Sequence, residues 1–116
     1  MIVLPKSIFV ATAPVSLHLS FDRLASIVRE QLGGDPTAET LVVFHNRRRT
    51  HVKLLWHDGT GYCVFYKRLD RGTFRIPLAI PAGATRVAVR RGELATLLEG
   101  IDDALVRRAR ATARAA

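Results

Sequence analysis

The chain has 116 residues, 48% of them hydrophobic, with only five prolines, so it is apolar enough to bury a core and is not an intrinsically disordered chain. Eighteen lysines and arginines against ten acidic residues give a formal charge of +8, a field that attracts phosphate, anionic membrane or an acidic protein partner. Cys63 is the only cysteine, which excludes an internal disulfide, argues against a thiolate zinc site and fits a reducing, cytoplasmic compartment.

The opening "MIVLPKSIFVATAP" has an apolar run but no basic segment before it, and Pro5 and Lys6 interrupt it. It reads as a strand at residues 8–11 rather than a secretion signal. No apolar run approaches the roughly 18 residues that a bilayer-spanning helix needs. Ser20 is placed to cap a helix over residues 21–32, where Phe21, Leu24, Ala25, Val28 and Leu32 recur at helical spacing. Gly33-Gly34 stops it, and Asp35-Pro36 begins a loop.

From residue 41 the period shortens to two. Strands are expected at residues 41–45, 51–57, 62–69 and 73–76, joined by short turns as an antiparallel meander. Asp58-Gly59 with Gly61 marks a hairpin of type I′, in which both central residues hold φ > 0. Pro77 and Pro81 end the meander, because proline donates nothing to a ladder. A short strand at residues 86–89 follows, then a short amphipathic helix carrying Leu94, Leu97, Leu98 and Ile101 and broken near Gly100. The end, "RRARATARAA", has helix formers but few large apolar residues. The expectation is one α+β domain over residues 1–103, a mainly antiparallel twisted sheet with one helix packed on it and a short C-terminal helix, and a basic extension over residues 104–116.

In a meander, alternate turns lie at the same end of the sheet. The first turn carries Arg47, Arg48 and Arg49, and the third carries Asp70, Arg71 and Gly72 beside Lys67 and Arg68, so the two clusters should converge. Between residues 45 and 75, eight basic residues (the six just named, Lys53 and Arg75) face only Asp58 and Asp70, a local excess of +6. Arg47, Arg48, Arg49, Lys53, Lys67, Arg68 and Arg71 are therefore the candidate phosphate contacts, with guanidinium groups suited to bidentate, salt-sensitive binding of DNA. The alternative is a solvated set of turns that keeps a β-protein soluble and blunts its edges. Trp56, Tyr62, Phe65 and Tyr66 could stack on bases, although in a sheet such residues more often form core or cross-strand pairs.

Catalytic chemistry is hard to find. His18, His45, His51 and His57 share no turn or helical face that would gather them round a metal. Asp22, Asp58, Asp70, Asp102 and Asp103 are scattered, where a nucleic-acid-cleaving metal site gathers several carboxylates. Cys63 lies mid-strand among apolar neighbours and is expected to be a buried thiol, and no glycine-rich phosphate loop is present. No catalytic residue, metal or cofactor is assigned.

The stretch "LVVFHNRRRTHVKLLWHDGTGYCVFYKRLDRGTFRIP" strongly resembles the accessory protein encoded by the second reading frame of the IS66 insertion sequences, termed TnpB or Orf2-like. The positions that carry the resemblance are Phe44, Arg47, Arg48, Lys53, Asp58, Gly59, Gly61, Lys67, Arg68, Leu69, Asp70, Gly72, Phe74 and Pro77. The later "GELATLLEGID" resembles the family's leucine-rich C-terminal stretch. Where family members share an Asp-x-Arg-Lys segment before the helix, this chain has Ser16, Leu17, His18 and Leu19. The resemblance implies a role in DNA transposition beside a separate transposase that carries the strand-transfer chemistry, and supplies no molecular activity for the accessory protein itself; the residues read as non-catalytic. DNA and the transposase, or other products of the same element, are the implied partners; no membrane is.

Overall fold

The computed structural model describes residues 4–76, 80–102, 108–109 and 111–112; Pro77, Asp103 and most of the extension expected at 104–116 lie outside the described residues. In chain order the elements are β1 (Ser7–Ala11), α1 (Phe21–Glu30), β2 (Thr40–His45), β3 (His51–His57), β4 (Tyr62–Arg68), β5 (Arg86–Val89) and α2 (Arg91–Glu99). The strands form one sheet in the order β4-β3-β2-β1-β5. The class is α+β, as expected.

The sheet is mixed rather than wholly antiparallel. β2, β3 and β4 form the expected antiparallel meander, but β1 and β2 run parallel, with Ile8 opposite Leu41. A parallel pair needs a crossover of a dozen residues or more, and the long connection containing α1 supplies it, whereas the downstream turns are too short for anything but hairpins. β5 returns to the far edge and pairs antiparallel with β1, Val89 opposite Ile8.

Residues 73–76 are not a fourth meander strand. They make one antiparallel bridge, Thr73 to Ile101, while Phe74 and Ile76 pack into the core beneath Leu94 and Leu97 of α2. Any extended segment alternates its side chains between two sides, so the same period of two arises without a ladder.

β2 is buried from Leu41 to His45 because both faces of the sheet are covered there. Leu41 and Val43 join Ile8, Val10, Val52, Leu54 and Trp56 under α2. Val42 and Phe44 join Leu55 under Leu24, Ala25, Ile27 and Val28 of α1. Each such large apolar side chain contributes roughly 1.5–3 kcal/mol. Ser20 stands at the N-cap of α1 but its side chain makes no capping hydrogen bond. The helix ends at Glu30, two residues short of the expected 32, and Gly33 turns the chain at φ 69° while Leu32 stays buried. Leu17 is buried and Leu19 packs on the same cluster, so the segment that departs from the family pattern serves here as core. Among the described residues no helix is long and apolar enough to cross a membrane.

The C-terminal end of α2 is sewn to the loop after β4. Thr73 N–H donates to the Ile101 carbonyl at 3.0 Å and Ile101 N–H returns the bond to the Thr73 carbonyl at 2.9 Å. Gly72, at φ 80°, lies so close that a Cβ there would collide with the Ile101 carbonyl. Gly59 also has positive φ, 101°, but a Cβ there would meet nothing within 4 Å. Gly59→Ala should therefore cost about 1 kcal/mol through backbone strain alone. Gly72→Ala should cost at least about 2 kcal/mol, since strain and collision add. Urea titration measures both, and equal losses would contradict the close approach at Gly72.

Candidate nucleic-acid interface

The convergence of the two arginine clusters is found. His51 opens β3 opposite Arg68, the last residue of β4, so the loop of residues 46–50 and the turn of residues 69–72 lie side by side. Two backbone hydrogen bonds tie them: Leu69 N–H to the Thr50 carbonyl at 3.0 Å, and Phe74 N–H to the Arg49 carbonyl at 2.7 Å. The Asp58 turn sits at the opposite end of the same two strands. Arg47, Arg48, Arg49, Arg68 and Arg71 are all exposed, and among the described residues none of them forms an ion pair, not even with Asp70 in the same turn.

Asn46 builds the arginine loop. Its side-chain carbonyl accepts from Thr50 N–H at 2.9 Å and His51 N–H at 3.1 Å, and its amide donates to Thr50 Oγ1 at 3.0 Å. These bonds replace the ladder that the chain gives up on turning, the usual service of asparagine in turns. Arg49 closes the loop at φ 59°, the only described non-glycine residue in the left-handed region. Such a conformation costs of the order of 1 kcal/mol for an arginine and persists where surrounding bonds over-determine it. An asparagine directly ahead of a polar turn is the residue-level signal of such a loop.

Lys53 and Lys67 are placed differently from the five arginines. Lys53 Nζ donates to the Leu19 carbonyl at 3.0 Å and lies 4.8 Å from the Tyr66 ring centroid, holding the segment before α1 to the sheet. Lys67, on the opposite face, donates to the Leu98 carbonyl in the last turn of α2 at 2.6 Å, where a cation also suits the helix dipole. Both ammonium groups serve as struts beneath the arginine end.

At the far end the hairpin forms around Gly59, but not as type I′. Four residues separate β3 from β4, and Asp58 keeps negative φ. Its carboxylate organises the turn instead, with Oδ1 accepting from Thr60 N–H at 2.9 Å, Thr60 Oγ1 at 2.9 Å and Gly61 N–H at 3.0 Å. The backbone N–H of Thr60, aided by its hydroxyl and by Gly61 N–H, holds the Asp58 pKa down at about 2. Cys63 is half-buried, not fully buried as its neighbours suggested, because β4 is an edge strand among the described residues. Partial burial and the Asp58 carboxylate 3.7 Å away push its thiol up.

The histidines separate. His18 is exposed, His51 and His57 are half-buried at opposite ends of β3, and His45 is buried at 3% exposure. His45 Nε2 donates to the Ala11 carbonyl at 2.9 Å, which ties β2 to the end of β1. Among the described residues no three His, Cys, Asp or Glu side chains are grouped to hold a metal ion. The aromatic residues divide as well. Trp56 is core and Tyr62 packs edge-on to His57 at 5.0 Å, whereas Phe65 and Tyr66 remain 44% and 54% exposed.

The architecture is that of a small α+β protein whose mixed sheet carries a basic end. The chain matches the family of IS66 Orf2-like proteins over residues 6–108, and it belongs to that family, whose members are insertion-sequence accessory proteins. It is 40% identical over 95 residues to the uncharacterized protein y4hO of Sinorhizobium fredii, covering 82% of this chain and 80% of that one. With the uncharacterized protein y4jC of the same organism it shares 30% identity over 101 residues, 87% of this chain and 84% of the relative. No solved structure matches it.

The Asp58 turn makes a pH prediction. A carboxyl whose pKa falls from 3.8 to about 2 on folding contributes stability that is complete above pH 3.8 and is lost as the pH falls toward 2. Asp58→Ala should therefore lower the unfolding midpoint at neutral pH, and the gap to wild type should close as the pH drops through that window. A gap independent of pH would show that the carboxylate charge does not hold the turn.

Proposed function

We propose that this protein is a non-catalytic accessory factor of insertion-sequence transposition that binds DNA through the sheet end formed by Arg47, Arg48, Arg49, Arg68 and Arg71. The observation that carries the reading is the placement of five exposed guanidinium groups, none ion-paired among the described residues, on the arginine loop, the end of β4 and the turn after it, which backbone hydrogen bonds tie together. Like charges repel when held together, so such a cluster is most stable with an anionic partner in place. Arginine forks match phosphate oxygens bidentately, and a row of them follows a phosphate backbone without reading bases. The scattered carboxylates support a binding role rather than a cleaving one, and the lone Cys63 fits action in the cytoplasm.

A second reading is a module that docks onto the transposase without touching DNA. The open seven-residue edge of β4, with Phe65 and Tyr66 exposed, favours it, since an extended segment of a partner can add to such an edge. The two readings part on a duplex titration at several salt concentrations. In the DNA reading, Arg48→Ala and Arg68→Ala each weaken binding to unrelated duplexes by similar factors and reduce the log-log salt slope by about 1, with the fold intact. Affinities of wild type and both variants that coincide across the salt series would leave transposase docking as the better account.

A further inference from the structure

Tyr66 is the most exposed aromatic side chain among the described residues, at 54%. It projects from the α1 side of β4, where Tyr62 and Val64 are covered by the α1 cluster but Tyr66 and Arg68 are not. The ring is nevertheless held. Lys53 Nζ, itself fixed to the Leu19 carbonyl, stands 4.8 Å from its centroid, and the His51 ring tilts against it at 6.0 Å and 41°. His51 is anchored in turn through Nδ1, which accepts from Thr50 Oγ1 at 2.7 Å, so Nε2 is the nitrogen left to donate. Together His51, Tyr66 and Arg68 line an open hollow of about 270 Å³ beside the arginine loop.

That hollow offers an aromatic surface held by its neighbours, a guanidinium group and an imidazole donor within one small concavity. A residue so placed gains little for the fold, since it remains 54% exposed. A nucleotide complements all three features: the π-face of its base stacks on tyrosine, its phosphate meets arginine and a base carbonyl oxygen can accept from the imidazole, the first two being the combination by which single strands are held with little regard to sequence. A duplex cannot use the ring, because its bases are stacked inside.

We infer that the hollow between His51, Tyr66 and Arg68 receives an unpaired base of single-stranded DNA, while Arg47, Arg48 and Arg49 carry the adjoining phosphates. The inference rests on the DNA reading above and narrows it to strands with unpaired bases. Its test compares a thymidine single strand with a blunt duplex of equal phosphate number, using the full chain as wild type, Tyr66→Phe, Tyr66→Ala and Tyr66→Trp.

Tyr66→Ala should weaken single-strand binding roughly 5- to 150-fold, the range that base–aromatic stacking supplies, and leave duplex binding within error. Tyr66→Phe should retain both affinities. In Tyr66→Trp the added indole fluorescence should be quenched by the single strand and not by the duplex. Equal losses on both probes, or no loss on the single strand, would overturn the stacking site while leaving the phosphate-binding end intact. Wild-type protein that binds neither probe would remove the DNA reading and this inference with it.

Discussion

A strand with two dry faces governs this molecule. Because β2 is buried from Leu41 to His45, the chain must lay an apolar layer on each side of it. The crossover α1 covers one side, and the segment after β4 together with α2 covers the other. The arginine loop springs directly from the end of this strand, and its first residue, Asn46, follows a histidine whose ring is bonded to β1. The loop therefore starts from one of the most constrained points in the chain. Three of the arginine side chains thus stand on a loop whose backbone is fixed at both ends.

Charge is sorted at this end by the kind of cation. The two lysines turn inward, each satisfying a backbone carbonyl on a different face, and the arginines turn outward. The division suits the groups themselves. An ammonium is a compact donor that can cap a single carbonyl, while a planar fork is best spent on an anion with two oxygens to offer. The struts also bring Leu19 and the end of α2 to the arginine pole, so layers on both faces of the sheet support one surface.

Much of this was legible in the residues. The period of α1, the spans of β3 and β4 and the convergence of the basic turns followed from spacing and turn chemistry. Four features were not. The parallel pairing of β1 with β2 depends on which edge a long connection returns to, which local pattern does not encode. Phe74 and Ile76 alternate as strand residues do, yet they plug a core, because alternation reports extension and not partners. Trp56 and Tyr62 look like Phe65 and Tyr66 in sequence; Tyr62 differs from Tyr66 in lying within reach of α1, and Trp56 differs from Phe65 in standing on β3 rather than on β4, the edge strand among the described residues. At Asp58 the hairpin was readable but its mechanism was not, since aspartate serves a turn either by its backbone or by its carboxylate.

The parallel pairing of β1 and β2 gives the molecule poles. Leu4 lies near the Asp58 turn, where the Arg91 guanidinium reaches its carbonyl at 3.4 Å, whereas Ile101 and Asp102 lie against Gly72 at the arginine pole. The two sides of the described chain are thus unequal as handles. A dye placed on a cysteine introduced at Leu4 would sit at the pole away from the arginines and leave them open to bulk solvent. The same dye introduced at Asp102 would sit beside them and compete for the space a long polyanion has to enter.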